Sequence, residues 1–205
     1  MNSAVGWLVA SYLIGAFPTS YVVARAFRGI DLREHGSRNL GATNVYRVLG
    51  WRYAVPVGLV DAAKGAAPVW LFGPLAPGIP HFGLLCGIAA VVGHVFSVFV
   101  GFKGGKGVAT ASGVVLALAP WALLSVLVLW AVIVRLSGYV SLGSVVAAAV
   151  FPLASFLLHG TRGVPLALEI ALALFIIWKH RANLQRLAAG TENRFGQRAA
   201  ARGSS

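Results

Sequence analysis

Hydrophobic and polar positions fall in long blocks along this 205-residue chain rather than alternating at short period. Apolar stretches cover 4–26, 54–72, 82–100, 108–119, 121–136, 142–158 and 164–178, each closed by charge, glycine or proline. A helix needs about 20 apolar residues to cross a hydrocarbon core of roughly 30 Å. The pattern therefore predicts an all-α, polytopic integral membrane protein with about seven transmembrane helices, forming a single domain over residues 1–205. Pro120 interrupts the stretch 108–136, which is either one long kinked helix or a hairpin of two short ones. The block 4–26 has no charged stretch before it and no small-residue cleavage site, so it reads as a retained span. The segment over 190–205 reads as a flexible tail.

Composition sharpens this picture. Charged residues make up only 11% of the chain against 58% hydrophobic, and mean hydropathy is +0.80, unlike a soluble domain. The 17 lysines and arginines against 5 acids give a net charge of +12. In a membrane protein that excess marks loops facing the cytoplasm and anionic ligands or lipid rather than nucleic acid. With seven spans and the N-terminus outside, the inner side collects Arg28, Arg33, Arg38, Arg47 and Arg52, then Lys103 and Lys106, Arg135, and Lys179, Arg181, Arg186, Arg194, Arg198 and Arg202. Only Arg162 falls outside, whereas a single helix over 108–136 would export the basic C-terminal segment, so the hairpin is preferred. Cys86 is the sole cysteine, which excludes an intrachain disulfide and disfavours a thiolate metal site.

That topology gathers three polar stretches on one face: GSRNLGATNVYR (36–47), GFKGGKGVAT (101–110) and KHRANLQRLAAGTE (179–192). In the second, Lys103 and Lys106 stand among Gly104, Gly105 and Gly107 just before a helix. Glycines that admit a close anion, a helix N-terminus and two cations make a phosphate cradle, or else a basic turn gripping lipid headgroups. It is not a Walker A loop, since Gly107 stands where Ser or Thr is required. In the first, Ser37, Asn39, Thr43 and Asn44 could donate to the oxygens of an anion held by the Arg47 fork, or Asn44 could cap the next helix. In the third, His180 and Asn183 are three apart, on one face if helical, with Arg186 near the same stripe. Charges within the apolar blocks are costly there. Asp61 and Lys64 read as an ion pair on one helix face, His94 as an interior histidine, and Glu169 as facing the bundle with Arg162 as its only nearby cation. No G-x-S-x-G elbow, H-E-x-x-H or Cys/His cluster is present, and no metal or cofactor is expected. Chemistry here must come from cations positioning phosphate.

These three stretches, in this order and between these spans, resemble the signature motifs of the bacterial acyl-phosphate:glycerol-3-phosphate acyltransferases, the PlsY family. The likeness extends to DAAKG (61–65), GH (93–94) and YVSLGS (139–144). It implies seven helices in the bacterial cytoplasmic membrane, an active site facing the cytoplasm, and transfer of a fatty acyl group from acyl phosphate to the 1-hydroxyl of glycerol 3-phosphate. It also implies work alongside an acyl-phosphate-forming enzyme, with catalysis by Ser37, Arg47, Lys106, His180 and Asn183. Asn39, Thr43, Asn44, Lys103, Gly104, Gly105 and Gly107 are the expected substrate-binding set. Arg38 departs from the family, which has glycine there; a left-handed backbone at that position would cost roughly 1 kcal/mol. The rival reading is an anion or organophosphate transporter, disfavoured because the polar residues crowd one face and no inverted repeat is visible.

Overall fold

A computed structural model describes residues 2–196, and all its regular elements are helical. The α-helices are α1 (Asn2–Ala16), α2 (Thr19–Arg28), α3 (Ala42–Leu49), α4 (Trp51–Phe72), α5 (Phe82–Val95), α6 (Val108–Leu118), α7 (Pro120–Ser137), α8 (Val140–His159), α9 (Gly163–Lys179) and α10 (Arg181–Ala188). Each apolar block is helical, but not each is a full span. By length and hydropathy five stretches suffice to cross a bilayer: Ser3–Arg28, Trp51–Leu75, Phe82–Val100, Pro120–Ser137 and Val140–His159. The pair α9 and α10, bent by 54°, adds a sixth if it counts as one span. The 11 residues of α6 rise only about 16 Å, half the hydrocarbon thickness.

The first block breaks at Pro18, which carries no N–H to continue α1 into α2. The Phe17 carbonyl left at the break accepts a hydrogen bond from Lys64 Nζ at 2.8 Å. Lys64 in turn pairs with Asp61 at 2.8 Å, both buried. The expected ion pair thus exists, and it also ties α4 to the α1–α2 break. Residues 108–136 are two helices. Ala119, at φ −145° and ψ 66°, interrupts them, α6 packs on α4 and α7 on α8, and both line one cavity.

Glycines set the closest crossings. A Cβ on Gly113 of α6 would run into the Ala62 carbonyl of α4, and one on Gly65 of α4 into the Thr110 carbonyl of α6. Gly15 of α1 and Gly93 of α5 do the same for the Ala90 and Tyr12 carbonyls. Such backbone-to-backbone contact is how helices associate where lipid offers no hydrophobic drive. Outward faces carry Leu13, Leu59, Trp70, Leu124, Leu157 and Leu174, while Ser11, Asp61, His94, Ser97 and Glu169 are buried. Polar inside and apolar outside is the arrangement lipid demands. Glu169 faces the bundle as expected but is not paired with Arg162. It accepts from Ser155 Oγ at 3.0 Å, and Arg162 lies over the Phe156 ring.

Of the expected tail, residues 191–196 lie against the bundle. Phe195 N–H donates to the Gly138 carbonyl at 2.7 Å, its ring stacks on Tyr46 at 4.8 Å, and Arg194 sits over the Tyr139 ring. An aromatic and an acid in a short basic segment suffice to anchor it. Arg198 and Arg202 lie outside the described residues.

Candidate active site

The three polar stretches meet at one end of the bundle around a cavity of about 350 Å³. The α2–α3 link supplies Ser37 and Asn39, and α3 supplies Thr43 and Arg47. The α5–α6 link supplies Lys106 and Gly107, the turn from α9 to α10 supplies His180, and α10 supplies Asn183. The far wall is apolar, made by Leu127 and Trp130 of α7 and Ala147 of α8.

The first loop is shaped by Asn44 rather than capped by it. Its side chain is fully buried, accepting from the Ser37 N–H at 2.8 Å and donating to the carbonyls of His35 at 3.0 Å and Leu32 at 3.3 Å. With its amide so occupied, Asn44 borders the cavity as the strut that aims Ser37. The loop is also pinned by Asp31, which takes a fork from Arg33, the closer contact at 2.6 Å. That hydrogen bond holds the Asp31 carboxyl well below the usual carboxylate range. Arg38 has φ 59°, the left-handed conformation that its replacement of glycine raised as a question, and its side chain is exposed.

The second loop corrects the cradle. Lys103 is exposed and lies outside the cavity, in a surface recess with Tyr21 and Arg33. Gly101 at φ 65° and Phe102 at φ 62° turn the chain so that two lysines three apart face different ways. Gly104 and Gly105 do not present their amides to a ligand. Their N–H groups donate to the carbonyls of Val95 and His94, each at 3.1 Å, and a Cβ on either would strike His94. They are glycine for close packing. Gly107, at φ 86°, does open α6 toward the cavity. The first ladder bond of α6 runs from the Ala111 N–H to the Gly107 carbonyl, and no side chain caps the helix. The N–H groups of Val108 and Ala109, both at the cavity wall, are thus directed at whatever anion enters.

The third stretch also carries an acid, Glu192, whose bonds organise this part of the site. Glu192 Oε1 accepts from Asn183 Nδ2 at 2.6 Å and from Ser141 Oγ at 2.8 Å, while Oε2 accepts from Arg186 Nε at 2.7 Å. Burial pushes Glu192 up, yet these bonds outweigh it and hold the carboxyl below its ordinary value. With its amide fixed by Glu192, Asn183 turns Oδ1 to Lys106 Nζ at 2.5 Å. The buried His180 ring meets the Ile176 carbonyl through Nδ1 at 2.8 Å. A carbonyl accepts only, so Nδ1 carries the proton and Nε2 is the acceptor of the neutral ring.

Two cations dominate. Among the described residues neither Arg47 nor Lys106 forms an ion pair, although three of the chain's acids do. Burial brings the Lys106 pKa down to about 8, with Glu192 opposing and Arg186, Arg47 and Lys179 adding to the fall. Burial lowers Arg47 too. Like charges held together and half desolvated are costly unless an anion joins them. Asp61 and His94 border the cavity floor, with His94 Nδ1 3.9 Å from Asp61 Oδ1.

The fold and cavity define a helical membrane protein with a cationic cleft backed by an apolar wall. The chain belongs to the glycerol-3-phosphate acyltransferase family, whose pattern it matches over residues 5–190. It is 42% identical to the glycerol-3-phosphate acyltransferase of Chlorobaculum parvum, over 93% of this chain and 97% of that protein. The corresponding protein of Desulforudis audaxviator is 47% identical, over 92% and 93%. The crystal structure of PlsY (YgiH), an integral membrane glycerol 3-phosphate acyltransferase, in its glycerol 3-phosphate form aligns with a TM-score of 0.88 at 42% identity, covering 95% of this chain and 96% of that one. Its lysophosphatidic acid form aligns at 0.86.

Proposed function

We propose that this protein transfers a fatty acyl group from acyl phosphate to the 1-hydroxyl of glycerol 3-phosphate, releasing lysophosphatidate and inorganic phosphate. The observation that carries the reading is the convergence of Arg47 and Lys106, without acidic partners, on a cavity whose other wall is apolar. Acyl phosphate is a mixed anhydride and already activated. The protein therefore has to hold two phosphates, align hydroxyl with carbonyl, and stabilise the charge that develops on the carbonyl oxygen. Lys106, Arg47 and the α6 N-terminus are suited to the phosphates, and Ser37 and His180 to orienting the hydroxyl and the leaving group. Asn183 positions Lys106, and Asn39 and Thr43 line the mouth.

In the transfer the glycerol oxygen forms the new ester bond to the acyl carbon as the bond from that carbon to the phosphate oxygen breaks. The hydroxyl proton passes to the departing phosphate, so no protein carboxylate is required as base. The acyl chain enters from the membrane, where an acyl-phosphate-forming enzyme would leave it. The site end lies on the cytoplasmic side of the bacterial inner membrane, in keeping with its lysines and arginines. Detergent-purified protein given palmitoyl phosphate and glycerol 3-phosphate should form lysophosphatidate, and phosphate release should require the second substrate.

A further inference from the structure

Away from its cations the cavity adjoins a narrow apolar slot between α6, α7, α8 and α9. Val108, Ser112, Leu123, Val126, Ser144 and Ala147 border both spaces, which therefore share a wall. Beyond them the slot is bounded by Val115 of α6, Ala148 and Phe151 of α8, and Leu172 and Ala173 of α9. The helices agree on its direction. α6 and α8 begin at the site end, with Val108 and Ser141, and α7 and α9 finish there, near Trp130 and His180. Depth therefore increases with residue number on α6 and α8 and decreases on α7 and α9. By that measure Val115, Leu123, Phe151 and Leu172 form the deepest layer. Beyond it Ala119, Ala122 and Ala154 pack with Phe151 in one buried cluster.

We infer that Phe151, with Leu172 beside it, is the floor of an acyl-chain slot and sets the longest chain the enzyme takes efficiently. Ten residues separate Phe151 from Ser141 on α8, about 15 Å at the helical rise. The small side chains of Ala147, Ala148 and Ala173 line the slot above that floor, and Phe151 is buried rather than turned out to lipid. A chain that reaches the ring must bend out between helices, losing the contact each further methylene would have gained.

The proposal rests on the acyl-phosphate reading of the donor, so the test includes one arm free of it. The kcat/KM of wild type, Phe151→Ala and Ala148→Leu is measured with lauroyl, myristoyl, palmitoyl and stearoyl phosphates. Binding of lysophosphatidates carrying the same chains is measured in parallel. Phe151→Ala is expected to move the optimum to longer chains, by about fourfold in kcat/KM for each methylene newly accommodated. Ala148→Leu is expected to penalise long chains first and spare lauroyl, and it adds volume rather than removing it, so it serves if Phe151→Ala fails to fold. Lysophosphatidate affinities should shift in the same sense. A wild type inactive with every acyl phosphate would overturn the donor reading while the lysophosphatidate arm still decides the slot. Chain-length profiles unchanged in a folded Ala148→Leu variant would overturn the slot.

Discussion

On the proposed function Lys106 bears most of the phosphate recognition, and its chemistry makes two predictions. Lys106→Ala removes a charge-assisted contact of about 1.5–3 kcal/mol, so kcat/KM for glycerol 3-phosphate should fall at least about tenfold, up to a hundredfold or more, in protein that melts normally. A pKa of about 8 means the ammonium is present below that pH and lost above it. The KM for glycerol 3-phosphate should therefore be flat near neutrality and climb as pH passes about 8, with kcat measured alongside. In Lys106→Arg that climb should vanish, because guanidinium stays charged; a climb of the same size in both proteins would assign it elsewhere. Glu192 acts on the same contact from behind. Glu192→Ala strands Asn183, Ser141 and Arg186 together, and a melting experiment should show about 2–4 kcal/mol of lost stability. Sequence alone could not have identified it, because its partners come from α8 and α10. The visible signal was only a lone acid in a basic segment. Arg38 is the reverse case. Its left-handed backbone was legible from the family's glycine, and nothing in the structure explains why arginine stands there.

At the scale of helices, the site is only as well placed as α6, which begins just after Lys106 and Gly107 and leans on α4 through Gly113. Gly113→Ala must push α6 off the Ala62 carbonyl. A loss of about 1–3 kcal/mol and a fall in kcat are expected by thermal melt and steady-state assay. Gly6→Ala, with open space around it, is the control and should change neither. Helix positions were legible in the sequence because lipid tolerates no polar interruption, so every block became a helix. The break at Pro18 was not, because the Phe17 carbonyl there is answered by Lys64, far along the chain. The glycine loop misled for a related reason. Glycines beside lysines suggest amides offered to an anion, whereas His94 and Val95 had already taken those of Gly104 and Gly105. Spacing cannot report which way a loop turns, and two left-handed residues turned Lys103 out.

The described residues form an apolar shell with a charged cavity at one end, an arrangement suited to the two proposed substrates. Glycerol 3-phosphate comes from water and needs cations. An acyl chain comes from lipid and needs an apolar wall, and the cavity supplies both within about 350 Å³. A transporter would need its polar residues distributed along a path, but the cavity's cations are confined to one end and its inner wall is greasy. The measurement that bears most directly on this account is phosphate release from palmitoyl phosphate by the purified protein, with and without glycerol 3-phosphate, with the lipid product identified. The account predicts release that depends on glycerol 3-phosphate, matched mole for mole by lysophosphatidate. Release that is indifferent to glycerol 3-phosphate, or none from protein shown to be folded, would contradict it.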